Sequence, residues 1–370
     1  MRVLILSCNT GEGHNSCAKA IKEVFDKTCD VCTTEDALRF ISDKTSHFIS
    51  WGHTYMYRHI PSLFNWGYDF TENHTGVFKE KNMLYHFFGK GTEELYRCIA
   101  AGNYDTVICV HPFAALMLTE VMRRYQPPIK TAFVATDYTC SPSVKDSELD
   151  YYFIPSHLLA RDFACEHITA DHVIASGIPI RQAFYAQGDK EKAKRIFGIK
   201  PQNKHVVMMC GSMGCGPMEE LVDGLSGQTD GLEVTVICGT NHKLKTQLES
   251  KYNGRPNLHI RGFVRDMSTM LDSADLYLTK AGGISVTEAL TKKVPMVFIN
   301  AVAGCEAYNS DFFVALGCAV KSESVQELVG ICTSLIRDEE RYNDMMAAFD
   351  SVPIQNAAEC MYRTLCGETK

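Results

Sequence analysis

At 370 residues, the chain is long enough for roughly two domains of ordinary size. Its hydrophobic content of 45% and charged content of 22% are typical of a soluble globular protein, and no apolar run approaches the roughly 18 residues of a membrane-spanning helix. The net charge of −7 argues against a nucleic-acid-binding protein, although it does not exclude local basic patches that face an anionic membrane.

The 16 cysteines are scattered, and many lie inside strand-like or helix-like runs, which favours reduced thiols in a cytosolic protein over a disulfide framework. Cys29 and Cys32 form a CxxC pair, and without a second such pair the sequence predicts no zinc site, with redox chemistry as the minor alternative. The N-terminal run MRVLILS lacks a small-residue cleavage site and is followed at once by glycines. We therefore interpret it as a first buried strand rather than a signal peptide.

The first half of the chain alternates short apolar strands with helices. Strands are predicted at residues 2–7, 105–110, 131–135, 151–154 and 173–175. After the first strand, Gly11 and Gly13 form a turn, and Asn15 or Ser16 is the expected N-cap of the following helix.

Polar side chains follow three of these strands at their carboxyl ends. His14 follows the first strand, His111 follows residues 105–110, and Asp137 follows residues 131–135. In a parallel sheet the three would meet at one edge, which is where open α/β sheets bind ligands. Structural roles stay open for them, since His14 could be a turn residue bonded to backbone and Asp137 a cap or turn residue.

Residues 41–95 differ from the rest of the chain because they contain both tryptophans and many other aromatic residues. Trp and Tyr suit a membrane–water interface, so one interpretation is an amphipathic acceptor-binding segment. The other is a set of helices packed on the sheet edge. The candidate membrane or acceptor residues in this segment are Trp51, Tyr55, Tyr57, Arg58, Phe64 and Trp66.

The second half begins with a helix at residues 190–197 and repeats the alternation. Strands are predicted at residues 204–210, 233–239, 258–261, 276–279 and 295–299. Gly211, Gly214 and Gly216 shape a loop after the first of these strands, and Pro217 is expected at the first helical position. The loop has no Lys-Ser/Thr pair, so a nucleoside triphosphatase is excluded.

A βαβ unit at residues 276–299 carries a second glycine turn, at Gly282 and Gly283. Such a turn brings a ligand close to backbone N–H groups at the positive end of a helix and favours phosphates. The helix is expected to begin near Ser285 as N-cap, with Glu288 at the capping-box spacing. The tail at residues 325–364 is predicted to be helical, with an interruption near Pro353.

Six motifs in order along the chain carry a family resemblance. They read SCNTGEGHNSCAKAI, TDYTCSP, GIPIR, CGSMGCGP, KAGGISVTEAL and GCEAYN. With these motifs the chain resembles the monogalactosyldiacylglycerol synthase and processive diacylglycerol glucosyltransferase family, and is more distantly similar to the muramyl-lipid N-acetylglucosaminyltransferase. The resemblance covers nearly the whole chain.

The resemblance implies an α/β protein of the GT-B fold, with two doubly wound Rossmann-like domains facing a central cleft. We expect an N-terminal acceptor-binding domain at residues 1–178 and a C-terminal UDP-sugar-binding domain at residues 179–345. Residues 346–370 are expected to form a C-terminal helix that packs back on the N-terminal domain.

The resemblance also implies residue roles. His14 matches the family's candidate base, with Asp137 orienting it or acting as the base itself, and His111 joins the acceptor side. Glu288 corresponds to the ribose-binding acid, and Glu306 to the acid that binds sugar hydroxyls. The expected donor-binding residues are Gly13, Gly211, Ser212, Gly214, Gly216, Phe263, Lys280, Gly282, Gly283, Ser285, Glu288, Glu306 and Asn309. The chain departs from the family pattern at Cys305, where Gln is frequent, and at Ser141.

The expected activity is inverting, metal-independent transfer of a hexose from UDP-glucose or UDP-galactose to diacylglycerol or a glycosyl-diacylglycerol. The UDP-sugar is a substrate, and no resident cofactor is expected. The expected location is cytoplasmic, peripheral on the inner face of the cell membrane at an anionic surface, with no nucleic acid as partner. Two alternatives stay open: a UDP-sugar 2-epimerase-like isomerase, and a non-catalytic protein that binds UDP-sugar or membrane.

Overall fold

The computed structural model of the chain describes residues 1–9, 12–44, 90–211, 216–227, 231–299 and 304–368. The chain divides into two compact units. The first contains Met1–Gln182, Ala303–Cys305 and Gln355–Lys370, and the second contains Ala183–Val302 and Glu306–Ile354. Each unit is built on its own parallel sheet with helices between the strands, as the sequence predicts.

The first unit has a sheet of six parallel strands in the order β2-β1-β3-β4-β5-β6. The strands are β1 (Arg2–Ser7), β2 (Val31–Asp36), β3 (Thr106–Cys109), β4 (Lys130–Val134), β5 (Tyr151–Ile154) and β6 (Val173–Ala175). β3 is buried along its whole length, because a parallel sheet covered on both faces needs continuous apolar strands.

The second unit has a sheet of six parallel strands in the order β12-β11-β10-β7-β8-β9. The strands are β7 (Lys204–Met209), β8 (Leu232–Ile237), β9 (Leu258–Arg261), β10 (Leu276–Thr279), β11 (Met296–Ile299) and β12 (Ala319–Ser322). A buried apolar cluster lies between this sheet and its helices, with Val206, Leu221 and Leu276 among its fully buried members.

The helices connect the strands and form the tail. They are α1 (Glu12–Phe25), α2 (Thr92–Ala101), α3 (Pro112–Tyr125), α4 (Ala160–Phe163), α5 (Lys190–Phe197), α6 (Met218–Ser226), α7 (His242–Lys251), α8 (Met267–Ser273), α9 (Gly283–Thr291), α10 (Cys305–Ala315), α11 (Val325–Arg337), α12 (Glu339–Asp350) and α13 (Ala357–Cys366). α13 returns to the first unit and packs on α1, where the rings of Phe25 and Tyr362 lie 5.6 Å apart. None of the helices in the described ranges is long and apolar enough to cross a membrane.

Three predicted helix starts are wrong. α1 begins at Glu12, so Asn15 and Ser16 lie inside the helix and do not cap it. Pro217 is the N-cap of α6 rather than its first residue. α9 begins at Gly283 after the extended Gly282 (φ −73°, ψ 130°), which starts the helix without a side-chain cap.

The start of α9 also overturns the capping box that the sequence predicts there. Ser285 lies within the first turn of α9, and Glu288 lies in the middle of the helix, beyond the reach of the helix start. A capping role therefore does not explain Glu288, which is 7% exposed.

In both sheets the chain adds strands first on one side of the sheet's first strand and then on the other, so the order of strand addition reverses once beside β1 and once beside β7. From β1 the chain adds β2 on one side and β3 on the other; from β7 it adds β8 on one side and later β10 on the other. In open parallel sheets, ligands bind outside the carboxyl ends of the two strands that flank such a reversal. The fold therefore predicts a ligand site at the carboxyl ends of β1 and β3 in the first unit and another at the carboxyl ends of β7 and β10 in the second. We call these two places the β1–β3 edge and the β7–β10 edge.

Candidate functional site

His14 lies at the β1–β3 edge of the first unit. It stands in the first turn of α1, and its Nδ1 is 2.8 Å from the carbonyl oxygen of Val110, directly after β3. A carbonyl oxygen accepts hydrogen bonds and cannot donate them, so Nδ1 carries the ring proton. In the neutral ring, Nε2 is therefore the atom with the available lone pair.

Thr136 connects His14 to Asp137. Its Oγ1 lies 3.2 Å from Nδ1 of His14, and the Thr136 hydroxyl donates to Oδ2 of Asp137 over 3.3 Å. Because the Thr136 hydroxyl has one proton and donates it to the carboxylate, Oγ1 can only accept a hydrogen bond from His14. The Thr136 hydroxyl therefore bridges the Asp137 carboxylate and the His14 imidazole by two hydrogen bonds. We call this hydrogen-bonded chain the relay.

The pKa of His14 is lowered from its usual value of 6.5. The main cause is burial, which disfavours the charged ring, while the negative charge of Asp137 and the hydrogen bond to Val110 oppose the shift. His14 is therefore neutral at physiological pH, yet two neighbouring groups stabilise the imidazolium when it forms.

His111 completes this edge. It is the N-cap of α3, where its Nδ1 accepts a hydrogen bond of 3.1 Å from the backbone N–H of Phe113. Its ring centroid lies 4.5 Å from that of His14, with the planes at 62°. The structure thus brings together His14, His111 and Asp137, which the sequence places at one edge. Thr136 and the Val110 carbonyl were not foreseen.

At the β7–β10 edge of the second unit, a side-chain hydrogen bond joins the carboxyl ends of the two strands. Thr279, the last residue of β10, donates from its hydroxyl to the carbonyl oxygen of Met209 over 2.7 Å. Lys280 then extends past Gly211 and donates from Nζ to Oε1 of Glu306 over 2.5 Å. The pair is largely buried, with side-chain exposures of 23% and 14%.

Two separate features favour glycine at position 211. Its φ of +70° is unfavourable for a residue with a Cβ, and a Cβ at this position would lie 2.6 Å from Cε of Lys280. Backbone strain alone would lower the free energy of unfolding of Gly211→Ala by about 1 kcal/mol. We expect a larger loss, because the added Cβ also meets Lys280.

Gly198 provides the matched control for Gly211→Ala. It has a similar φ of +78°, but no atom of the described residues lies within 4 Å of an added Cβ. In urea unfolding followed by circular dichroism, Gly198→Ala should show the backbone cost alone. Equal losses for the two variants would mean that Lys280 moves aside at no cost.

The start of α9 lies beside this pair. Its N-cap is Gly282, and among the residues that the structure describes no side chain caps the helix. The N–H groups of the first turn of a helix have no partner within the helix itself. The turn before it is held by Asn309, which is fully buried and donates from Nδ2 to the carbonyl oxygen of Ala281 over 2.8 Å. Tyr277, in β10, is 1% exposed. Burial raises the pKa of Tyr277, with the charge of Glu288 adding to the effect.

The remaining predicted site residues take no part in the hydrogen bonds described above. Gly13 is exposed in the first turn of α1, Gly216 precedes α6 with a φ of +110°, and Phe263 is 67% exposed after β9, two strands from β7. Ser212 and Gly214 lie outside the described residues. The same holds for the aromatic and basic candidates Trp51, Tyr55, Tyr57, Arg58, Phe64 and Trp66.

Comparison with known proteins gives matches in both halves of the chain. Residues 14–180 match the monogalactosyldiacylglycerol (MGDG) synthase family, and residues 205–360 match the glycosyltransferase family 28 C-terminal domain. A processive diacylglycerol beta-glucosyltransferase of Bacillus licheniformis is 27% identical over 363 residues, which cover 96% of this chain and 92% of that protein.

Two solved structures share the fold over nearly the whole chain. MurG of Acinetobacter baumannii has a TM-score of 0.66 at 14% identity and covers 99% of both chains. The UDP-GlcNAc 2-epimerase of Neisseria meningitidis, bound to UDP-GlcNAc, has a TM-score of 0.61 at 16% identity and covers 99% of this chain and 100% of its own. The chain therefore carries an N-terminal domain that matches the monogalactosyldiacylglycerol synthase family and a C-terminal domain that matches glycosyltransferase family 28, both with the parallel-sheet architecture of GT-B proteins.

Proposed function

We propose that the chain is an inverting, metal-independent glycosyltransferase that moves a hexose from UDP-glucose or UDP-galactose to diacylglycerol or a glycosyl-diacylglycerol. The observation that carries the proposal is the neutral His14, whose Nε2 is left as a base at the β1–β3 edge. The diacylglycerol glucosyltransferase relative supports the choice of a lipid acceptor.

In this proposal His14 is the general base. The acceptor hydroxyl gives its proton to Nε2 while its oxygen attacks the anomeric carbon, and the bond from that carbon to the UDP oxygen breaks. Attack opposite the leaving group inverts the anomeric configuration. Thr136 and Asp137 stabilise the imidazolium that results, so Asp137 is assigned a positioning role.

The second unit is proposed to hold the UDP-sugar. The departing diphosphate needs positive potential, and the uncapped first turn of α9 together with Lys280 supplies it where other enzymes use a metal ion. Glu288 is assigned to the ribose and Glu306 to the sugar hydroxyls, while Asn309 holds the turn that precedes α9. The other assigned donor contacts are Gly13, Gly211, Ser212, Gly214, Gly216, Phe263, Gly282, Gly283 and Ser285.

The acceptor side is proposed to lie at a membrane. The segment from Trp51 to Trp66 combines tryptophan, tyrosine and arginine, which suit the interface between lipid and water. We place the protein in the cytoplasm, peripheral on the inner face of the cell membrane, where an anionic surface would attract basic residues such as Arg58. His111 is assigned to the acceptor side through its contact with His14.

A second candidate function follows from the epimerase with the same fold. That protein was solved with UDP-GlcNAc, so a chain of this architecture is also suited to a reaction on a nucleotide sugar alone. An isomerase would convert its UDP-sugar without any lipid. A non-catalytic UDP-sugar or membrane binder would give no product at all.

A product assay tests the proposal. The purified protein is incubated with UDP-glucose or UDP-galactose, with and without diacylglycerol in anionic vesicles, while UDP release and lipid mass are followed together. We expect UDP release that depends on diacylglycerol and a lipid heavier by one hexose. Conversion of the UDP-sugar without lipid would favour the isomerase, and binding without any product would favour the non-catalytic alternative.

A further inference from the structure

The Lys280–Glu306 ion pair joins two groups to which the proposed function gives different ligands. Lys280 follows β10 and is assigned to the diphosphate; Glu306 lies in the first turn of α10 and is assigned to the hexose. In the structure the two are bonded to one another over 2.5 Å and are mostly shielded from water. Glu306, which is assigned to the hexose, therefore already neutralises the charge of Lys280, which is assigned to the diphosphate.

This pairing has opposite consequences for UDP and for a UDP-hexose. A diphosphate that approaches Lys280 also approaches the carboxylate of Glu306, and like charges at short range in a poorly solvated site repel each other. UDP alone offers Glu306 nothing in return. When Lys280 turns to the diphosphate, Glu306 loses the hydrogen bond that Lys280 donated to it. The hydroxyl groups of a UDP-hexose can donate to the Glu306 carboxylate in its place.

We propose that the Lys280–Glu306 ion pair makes the donor site discriminate against UDP and in favour of UDP-hexose, so that the product UDP is released once the hexose has left. The inference rests on the proposed function and adds to it a specific role for the pair. Gly211 supports this arrangement, because the absence of a side chain there leaves room for the stem of Lys280 on its way to Glu306.

The test is isothermal titration calorimetry with UDP, UDP-glucose and UDP-galactose on the wild type and on Glu306→Gln. Glutamine keeps the shape of glutamate and removes its charge. We expect the variant to bind UDP about five- to tenfold more tightly, within the range of ordinary coupling between sites, and to bind the UDP-hexose no more tightly than the wild type does. The ratio of the two dissociation constants should fall accordingly.

Asp311 supplies a matched control for the loss of one negative charge. It lies on the same helix α10 and pairs with Lys321 on the surface. Asp311→Asn should leave the UDP affinity within about twofold of the wild type, because exposed pairs are screened by water and salt. In a Lys280→Gln background, the gain from Glu306→Gln should shrink, since the two effects are expected to depend on one another.

The outcomes separate this inference from the proposed function. If Glu306→Gln leaves the UDP affinity unchanged or weakens it while the wild type binds UDP-hexose, the ion-pair inference is overturned and the proposed function stands. If the wild type binds neither UDP nor a UDP-hexose, both fail. A variant that does not fold, judged by circular dichroism, is replaced by Glu306→Ala, for which the same gain in UDP affinity is expected.

Discussion

Replacing His14 with alanine is expected to reduce hexose transfer by about 100-fold or more while UDP-sugar binding is retained. A positioned general base contributes about 10²- to 10⁴-fold to the rate, and the structure leaves Nε2 of His14 available for that task because Nδ1 donates to the Val110 carbonyl. The measurements are initial rates of lipid glycosylation and calorimetric UDP-sugar affinity on the same preparation.

His167 is the control for the His14 substitution. It is an exposed histidine of the same unit, so His167→Ala tests whether any histidine loss in this unit affects transfer. We expect that variant to keep the wild-type rate. A His14→Ala protein that transfers hexose at the wild-type rate would remove His14 from the mechanism.

The pH profile distinguishes His14 from Asp137 as the base. Because the pKa of His14 is lowered from 6.5, the acid limb of kcat/KM is expected below pH 6.5. The charge of Asp137 raises the pKa of His14, so Asp137→Asn should move this limb to still lower pH and reduce the rate moderately. A loss as large as that of His14→Ala, with no movement of the limb, would make Asp137 the base.

Strands with continuous apolar runs were predictable from the sequence, some of them to the residue and the others to within two residues at either end. The ranges Tyr151–Ile154 and Leu276–Thr279 agree with the structure because each is an apolar run buried in a parallel sheet. β2 and β12 were not predicted. Both lie at sheet edges, and their sequences VCTTED and AVKS mix buried and exposed positions, so neither gives the apolar signal of a central strand.

The candidate site was predictable in its location but not in its bonding. Parallel strands carry their carboxyl ends to one edge, and this alone places His14, His111 and Asp137 together. The relay through Thr136 depends on the register of β3 against β4 and on the direction of one hydroxyl, which residue spacing does not specify. For the same reason, Lys280 and Glu306 were each foreseen as donor-site residues, but their pairing was not.

The second large effect concerns stability rather than catalysis. His205, at the start of β7, is fully buried; its Nδ1 lies 3.2 Å from the carbonyl oxygen of Ser273, and its Nε2 lies 2.7 Å from the hydroxyl of Thr235. Since the carbonyl can only accept, Nδ1 is the donor and Nε2 accepts from Thr235. Burial lowers the pKa of His205 from 6.5 to about 4.

We expect this histidine to make the second unit lose about 3 kcal/mol of stability as the pH falls from 7 to 4. Between the two pKa values the unfolded chain binds a proton that the folded protein excludes, so stability is fully present above pH 6.5 and declines towards pH 4. The measurement is urea unfolding followed by circular dichroism across this range.

His205→Gln isolates the contribution of this one group. An amide offers one donor side and one acceptor side, as the neutral imidazole does, but it does not titrate. The variant should therefore be less stable than the wild type at pH 7, yet lose about 3 kcal/mol less on acidification. His242→Gln, which removes an exposed histidine of the same unit, should keep the wild-type pH dependence. The carboxylates and the other histidines are common to His205→Gln and the wild type. If both proteins lose equal stability on acidification, His205 is therefore not the group that destabilises the second unit.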